Sequence, residues 1–390
     1  MRSARRGLRV VPAALALAAA VLGGSAAVLT GLCGPFTDVA ADAFCPFVLE
    51  IFTLGITTGT TATTYDPASN VSRLQMAAFL SRTVDNLLKR GGRRAALGQF
   101  TTPQGPSVLA QTTVDSNPLF LKFDGADIWV SGGSVDRVRA SDGKLLGTWT
   151  SATQLDGEIV IALGRVVTPG FTNPGRLNVI DPTAPPGEVT LVASNVGVLP
   201  SGIAFDGARF WTANDGPPSS VSIITPGPTI PWTVTTVTAG FQSLNPEGAL
   251  FDGSNIWVTG SGSIKKLDSS GNVLQTVFVG SFPRYPIFDG VNIWVPNSSD
   301  NSVSVVRVST GVVLQTLTGN GLNQPVAAAY DGERILVSNP PGDSVSLWKA
   351  ADLTPIGTFS TGTGTNPWAA CSDGVNFWIP FNALSEIARF

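Results

Sequence analysis

The chain has 390 residues and no histidine. That absence excludes a Ser-His-Asp or Cys-His catalytic centre, a histidine general base and any histidine-ligated zinc, iron or copper site. Three cysteines, Cys33, Cys45 and Cys371, are too few for a four-thiolate metal site. Charge is scarce as well: Lys, Arg, Asp and Glu make up 13% of the residues, about half the usual share. With 24 basic against 27 acidic residues, the composition does not suit a nucleic-acid partner. What is plentiful is turn chemistry, with 43 glycines and 28 prolines. That suits many short strands joined by tight turns, and the length suits two or three domains.

Residues 1–27 carry four arginines, Arg2, Arg5, Arg6 and Arg9, followed by an uncharged run and small residues. A basic head, an apolar middle and a small-residue exit predict a secretory signal peptide. The alternative is an uncleaved anchor, because the next charge comes only at Asp38. Once the signal is removed, no membrane span is expected and acids outnumber bases, 27 to 20. Outside the cytoplasm, Cys33 and Cys45 are candidates for a disulfide, and Cys371 for a buried small hydrophobe.

Residues 28–94 read as a small helical segment. Pro67 halts the preceding stretch, and Ser72 with Gln75 three residues later forms a capping-box pattern. Leu74, Ala77, Ala78 and Leu88 then recur at helical spacing. The landmarks Phe36-Thr-Asp38-Val39, Gly55-Ile-Thr-Thr-Gly59, Thr64-Tyr65-Asp66-Pro67 and Val71-Ser-Arg73-Leu-Gln-Met-Ala-Ala-Phe79 together resemble one copy of the surface-layer homology (SLH) motif. The resemblance implies helix-loop-helix structure and binding of envelope polysaccharide, with Arg73 as the ligand-binding arginine and Asp38 as the acid of the opening motif. Gln75 stands where the family has Glu, and a single copy stands where three are common. One copy could trimerise, act weakly or serve as a spacer. Arg82, Lys89, Arg90, Arg93 and Arg94 follow, read as a solvated helix end and as a possible second contact with anionic polymer. Residues 95–105 read as linker.

Residues 106–390 repeat. Phe123-Asp-Gly-Ala-Asp-Ile-Trp129-Val returns at Phe205, Phe251, Phe288, Tyr330 and Ser372, and a worn copy, Ile161-Ala-Leu-Gly-Arg-Val-Val167, fills the gap. The tryptophan-equivalent positions are 129, 167, 211, 257, 294, 336 and 378. A period near 40 residues with several strands per unit predicts an all-β, seven-bladed β-propeller. The last unit ends after its third strand, and an unassigned strand at residues 107–113 precedes the first. The two are expected to pair and close the ring. The run Trp294-Val-Pro-Asn-Ser-Ser-Asp-Asn-Ser-Val-Ser-Val-Val-Arg-Val-Ser-Thr-Gly311 resembles the YVTN family of extracellular propellers, a resemblance that implies the fold and leaves the function open.

Six Asp-Gly pairs, at Asp124, Asp206, Asp252, Asp289, Asp331 and Asp373, would lie on one face. A carboxylate ring could hold calcium, but tight turns explain the pairs, so no metal and no cofactor is expected. The repeated tryptophans read as packing between blades. The opposite face gathers the loops entering the innermost strands and those leaving the second strands. It carries Asn214, Asp215, Glu247, Arg284, Tyr285, Asn297, Asn323, Asn339, Trp368 and Asn382, the candidate surface for a protein or glycan ligand. The reading reached from sequence is a non-enzymatic, exported protein of the cell envelope or extracellular surface. The alternative is an extracellular hydrolase or lyase using carboxylate or tyrosine chemistry at Glu247 and Tyr285. Streptogramin-type lyases share the architecture but resemble a histidine-dependent catalyst.

Overall fold

A computed structural model describes residues 32–80 with short breaks, residue 83, and residues 110–390 apart from 116, 154 and 243. The signal segment 1–27, the basic residues Arg82, Lys89, Arg90, Arg93 and Arg94, the linker 95–105, Leu88 and residues 107–109 lie outside the described residues. The chain divides into two compact units, residues 1–100 and 101–390.

In the first unit, strand Phe36–Ala40 pairs with the short Leu32–Cys33, and helix Cys45–Thr53 follows. A disulfide joins Cys33 to Cys45. The small core gathers Cys33, Phe36, Val39 and Val48. The Phe36 ring meets Phe52 edge-on at 5.1 Å and Tyr65 at 5.5 Å. Residues 73–80 are helical, and the expected capping box forms. Gln75 Oε1 accepts from the Ser72 N–H at 2.8 Å, and Ser72 Oγ accepts from the Gln75 N–H at 3.2 Å, so two N–H groups at the helix start are satisfied.

The second unit is seven four-stranded antiparallel sheets. Blade 1 comprises Phe120–Phe123, Asp127–Ser131, Val135–Arg139 and Leu145–Trp149, from the innermost strand outward. Blades 2 to 6 repeat this order, with innermost strands Val160–Ala162, Pro200–Phe205, Ala249–Phe251, Ile287–Phe288 and Ala328–Tyr330. Blade 7 takes Cys371–Ser372, Phe377–Phe381 and Glu386–Arg389 from the carboxy-terminal end. Its outermost strand, Ala110–Thr113, comes from the start of the unit, registering Ala110 with Arg389 and Thr113 with Glu386. The ring closes through its two chain ends, which leaves no blade short of a strand.

The Asp-Gly repeat has a structural cause. At Asp289, Oδ1 accepts from the N–H groups of Val291 and Asn292 at 2.8 and 2.7 Å, while Oδ2 accepts from Trp294 Nε1 at 2.7 Å. The same clasp recurs at Asp124–Trp129, Asp206–Trp211, Asp252–Trp257 and Asp373–Trp378, with indole bonds of 2.7–2.9 Å. One carboxylate thus shapes the turn and satisfies an indole that is otherwise sealed in the core. In blade 6, where Leu336 replaces the tryptophan, Arg334 Nε donates to Asp331 Oδ2 instead, at 2.8 Å. The glycine after each aspartate has positive φ, +96° at Gly290, a conformation that L side chains rarely adopt. In the worn second repeat, Leu163 and Gly164 turn with φ of 53° and 68° and no aspartate. The tryptophans are buried as expected, Trp211 packing with Ala249, Ile256, Val258 and Leu267 of the next blade.

Candidate functional site

Loops leading into the innermost strands, with the loop after the second strand of blade 3, bring five of the expected residues together. Glu247, Arg284 and Tyr285 sit on loop segments whose backbone is fixed: the Glu247 N–H donates to Thr259 O, the Arg284 N–H to Pro296 O and the Tyr285 N–H to Val326 O. Arg284 Nη1 donates to Glu247 Oε1 at 3.1 Å, and the Tyr285 hydroxyl donates to Glu247 Oε2 at 3.3 Å. The Arg284 guanidinium lies 4.4 Å from the Phe282 ring and 6.0 Å from the half-buried Trp368 ring. Arg284 Nε is buried and finds no protein acceptor. Asp215, half-buried at the end of a blade 3 strand, lies within electrostatic reach of Arg284.

Burial sets the electrostatics of this cluster. Burial raises the Glu247 carboxyl above its ordinary value against the pull of Arg284, and the nearby Asp215 raises it further. Burial also raises Asp215, with Arg284 opposing. Tyr285 is pushed well above a normal phenol, first by burial and then by the Glu247 charge. Its hydroxyl therefore stays protonated and serves as a hydrogen-bond donor rather than as a base.

Tyr285 does more than complete the cluster. Its hydroxyl lies 2.5 Å from Ser201 Oγ of blade 3, and its ring meets Phe120 of blade 1 at 4.6 Å, edge-on. A blade 5 side chain that touches blades 1 and 3 crosses the axis of the ring. On one side of this crossbar is the Asp215–Glu247–Arg284–Trp368 face. On the other is a central channel of about 420 Å³, extending from Glu158, Phe120 and Tyr285 to Phe123, Phe205, Phe251 and Tyr330 beside the Asp-Gly turns.

Three expected face residues are elsewhere. Asn214, Asn297 and Asn339 are fully buried, so they cannot present their amides to a ligand. Each ends a second strand and ties it to the third strand through serines. Asn297 Nδ2 donates to Ser302 and Ser304 Oγ at 3.0 Å, and Asn339 Nδ2 donates to Ser346 Oγ at 2.9 Å. Asn214 bonds to both Ser220 and Ser222, and in the amide orientation that satisfies every partner it also donates to Thr212 Oγ1 and Val196 O. Strand ends inside a propeller leave polar groups that need partners, and these asparagines supply them. Asn323 is exposed; its N–H donates to Asn339 Oδ1 at 3.1 Å. Asn382 accepts from Asn366 Nδ2 at 3.3 Å.

In the first unit, Asp38 accepts from the N–H groups of Tyr65 at 2.9 Å and Asp66 at 2.7 Å. Those bonds, Tyr65 foremost, hold its carboxyl below the usual range. Its oxygens thus fix the loop before Pro67. Arg73 stands exposed on the first turn of the 73–80 helix.

Glu158, Ser201 and Lys122 were missed, although the repeats locate two of them. Counting four residues back from the residue preceding each Asp-Gly or Leu-Gly pair gives Leu119, Glu158, Ser201, Glu247, Arg284, Val326 and Trp368 around the ring. Blades 2 to 5 are polar at this position and blades 6, 7 and 1 apolar. The worn second repeat, lacking its aspartate, hid Glu158 from that count.

Comparisons agree with this architecture. Residues 35–77 match the S-layer homology domain model. The propeller is similar to virginiamycin B lyase from Staphylococcus aureus, at 14% identity and TM-score 0.61, covering 72% of this chain and 97% of that one. It is also similar to a streptogramin B lyase structure, at 15% identity and TM-score 0.57, covering 72% and 96%. The WD40 propeller domain of Doa1 aligns at 13% identity and TM-score 0.58, covering 74% and 97%. At such identities these likenesses establish the fold alone. No curated protein matches the sequence. The molecule is thus an S-layer homology domain followed by a seven-bladed β-propeller, and the former implies a place at the cell envelope. Among the described residues, no helix is long and apolar enough to cross a membrane.

Proposed function

We propose that the protein is an exported, envelope-associated binding protein, anchored to envelope polysaccharide through Arg73 and its S-layer homology domain. The propeller presents Asp215, Arg284 and Trp368 to a glycan, with the buried Glu247 behind them holding Arg284 in place. The observation that supports this reading most is the Arg284 environment: a guanidinium held by a carboxylate and lying by two aromatic rings, Phe282 and the half-buried indole of Trp368. Sugars are recognised by such combinations, an aromatic face for the apolar side of the ring and charged hydrogen-bonding groups for its hydroxyls. The export signal expected at residues 1–27 and the likeness of the repeats to extracellular YVTN propellers fit the same location.

Binding without turnover is the preferred reading over a lyase or hydrolase. In the cluster, Tyr285 is protonated and locked between Ser201 and Glu247, and Glu247 is itself engaged by Arg284. A general base needs a free lone pair near a substrate proton. The test is retention of the purified protein on isolated envelope polysaccharide, with the polymer analysed afterwards. Retention weakened severalfold by Arg73→Ala and by Trp368→Ala, with the polymer unchanged, supports the reading. Cleavage of the polymer would replace it with the enzymatic one, and retention unaffected by either substitution would refute the assigned contacts.

A further inference from the structure

The central channel lies on the far side of the Tyr285 crossbar from the proposed glycan face. Its wall is largely apolar: Phe120, Phe123, Phe205, Phe251, Ile203, Ile287 and alanines from blades 6 and 7. Its volume, about 420 Å³, lies in the range of small-molecule sites. A lysine and a glutamate interrupt that wall, Lys122 on the innermost strand of blade 1 and Glu158 at the entry to blade 2. They feel each other electrostatically, yet they form no ion pair within 4.0 Å, and Lys122 donates no side-chain hydrogen bond among the described residues. Glu158 Oε2 accepts only a long bond, 3.3 Å, from the Ile203 N–H. An ammonium and a carboxyl facing an apolar cavity without engaging each other leave unused hydrogen-bonding capacity, which a structural role does not explain.

We propose that this channel binds a small apolar or aromatic carboxylate, its carboxylate group taken by Lys122 and Glu158 and its body lying among Phe123, Phe205 and Phe251. Lys122 supplies the opposite charge, and Glu158 in its neutral form donates an O–H to the ligand. Since Tyr285 and Phe120 obstruct the inner end, the ligand enters past Phe251 and Tyr330, beside the Asp-Gly turns. Burial pushes Glu158 up to about 7, against the opposing effect of Lys122. The other titratable side chains lining the channel stay neutral near that pH: Tyr285 is raised well above 10, burial raises Tyr330 above an ordinary phenol, and burial pushes the Cys371 thiol up to about 12. Above pH 7, Glu158 ionises and repels the ligand.

The probe is 2-naphthoate, compared with 2-naphthamide and 2-naphthylmethylamine, titrated calorimetrically into the full-length protein. The carboxylate should bind about tenfold more tightly than the amide at pH 6, and one coupled proton makes its affinity fall about tenfold between pH 6 and pH 8. Lys122→Met should remove the preference over the amide, and Glu158→Gln should flatten the pH dependence while keeping the preference. Absence of naphthoate binding to the unaltered protein, or equal or tighter binding of the amide or amine, overturns the proposal without recourse to the variants. Neither Lys122 nor Glu158 belongs to the proposed glycan face, so failure here leaves that reading standing.

Discussion

Deleting the strand that closes the ring should cost most of the propeller's stability. Ala110–Thr113 registers four residues with Glu386–Arg389, and Val114 extends the contact by donating its N–H to Ser385 O at 3.0 Å. Thr112 Oγ1 also donates to Gly143 O at 2.7 Å, linking blade 7 to blade 1. Roughly five hydrogen bonds at about 1 kcal/mol each contribute about 5 kcal/mol. Ile387, fully buried beneath the strand, and Val114, 7% exposed, add about 1.5–3 kcal/mol each when uncovered. The sum, about 8–11 kcal/mol, is of the order of the whole stability of a typical domain. A chain beginning at Asn117 should therefore aggregate or lose its cooperative unfolding transition. One beginning at Gln99 keeps the strand and should unfold as the propeller of the full protein does. Urea unfolding followed by tryptophan fluorescence, with light scattering for solubility, distinguishes the two. Equal midpoints and equal solubility would show that the closing strand contributes little and that the reasoning from registered pairs is wrong.

Asp289→Ala should destabilise by about 2–4 kcal/mol, because it strands the Trp294 indole N–H and two turn N–H groups; a near-neutral effect on the urea midpoint would refute the clasp. Gly290→Val should cost about 1–3 kcal/mol through backbone strain, since an added Cβ there meets nothing within 4 Å, and Gly290→Ala should recover little of that loss in a thermal melt. Glu158 is raised from 4.5 to about 7 in the folded state, so its ionisation opposes folding: the favourable contribution is complete below pH 4.5 and lost as pH rises through 7. Glu158→Gln should accordingly stabilise by up to about 3 kcal/mol at pH 8 relative to its effect at pH 4, and a pH-independent effect would argue against the shift. Asp206 runs the other way: burial works against its charge, but Trp211 and the turn N–H groups outweigh burial and hold it low. Its contribution is present above pH 4 and lost as pH falls through its folded value, so Asp206→Asn should lessen the acid sensitivity of the melting temperature between pH 5 and pH 3.

Period and turn chemistry were legible in the chain because they are local. An aspartate, a glycine and a tryptophan five residues on from that aspartate fall in one hairpin, so their recurrence in five blades, with the partial copies at Asp331 and Leu163, marks seven blades without reference to distant contacts. The capping box at Ser72 and Gln75 is equally local. Ring closure was legible from a count of strands, since an edge left open in blade 7 demands the one strand left over. Glu247, Arg284, Tyr285 and Trp368 could be placed at equivalent loop positions for the same reason. What the sequence alone could not assign was side-chain direction at the strand ends. Asn214, Asn297 and Asn339 occupy positions as polar as any on the face, yet serines on the neighbouring strand draw them into the blades. Only the ring geometry brings Tyr285 of blade 5 against Ser201 and Phe120, from strands 84 and 165 residues away, dividing the axis into a face and a channel. Lys122 and Glu158, on neighbouring blades, come to line one channel for the same reason: the curvature of seven packed sheets, which no local pattern records, sets which side chains of the innermost strands share the axis.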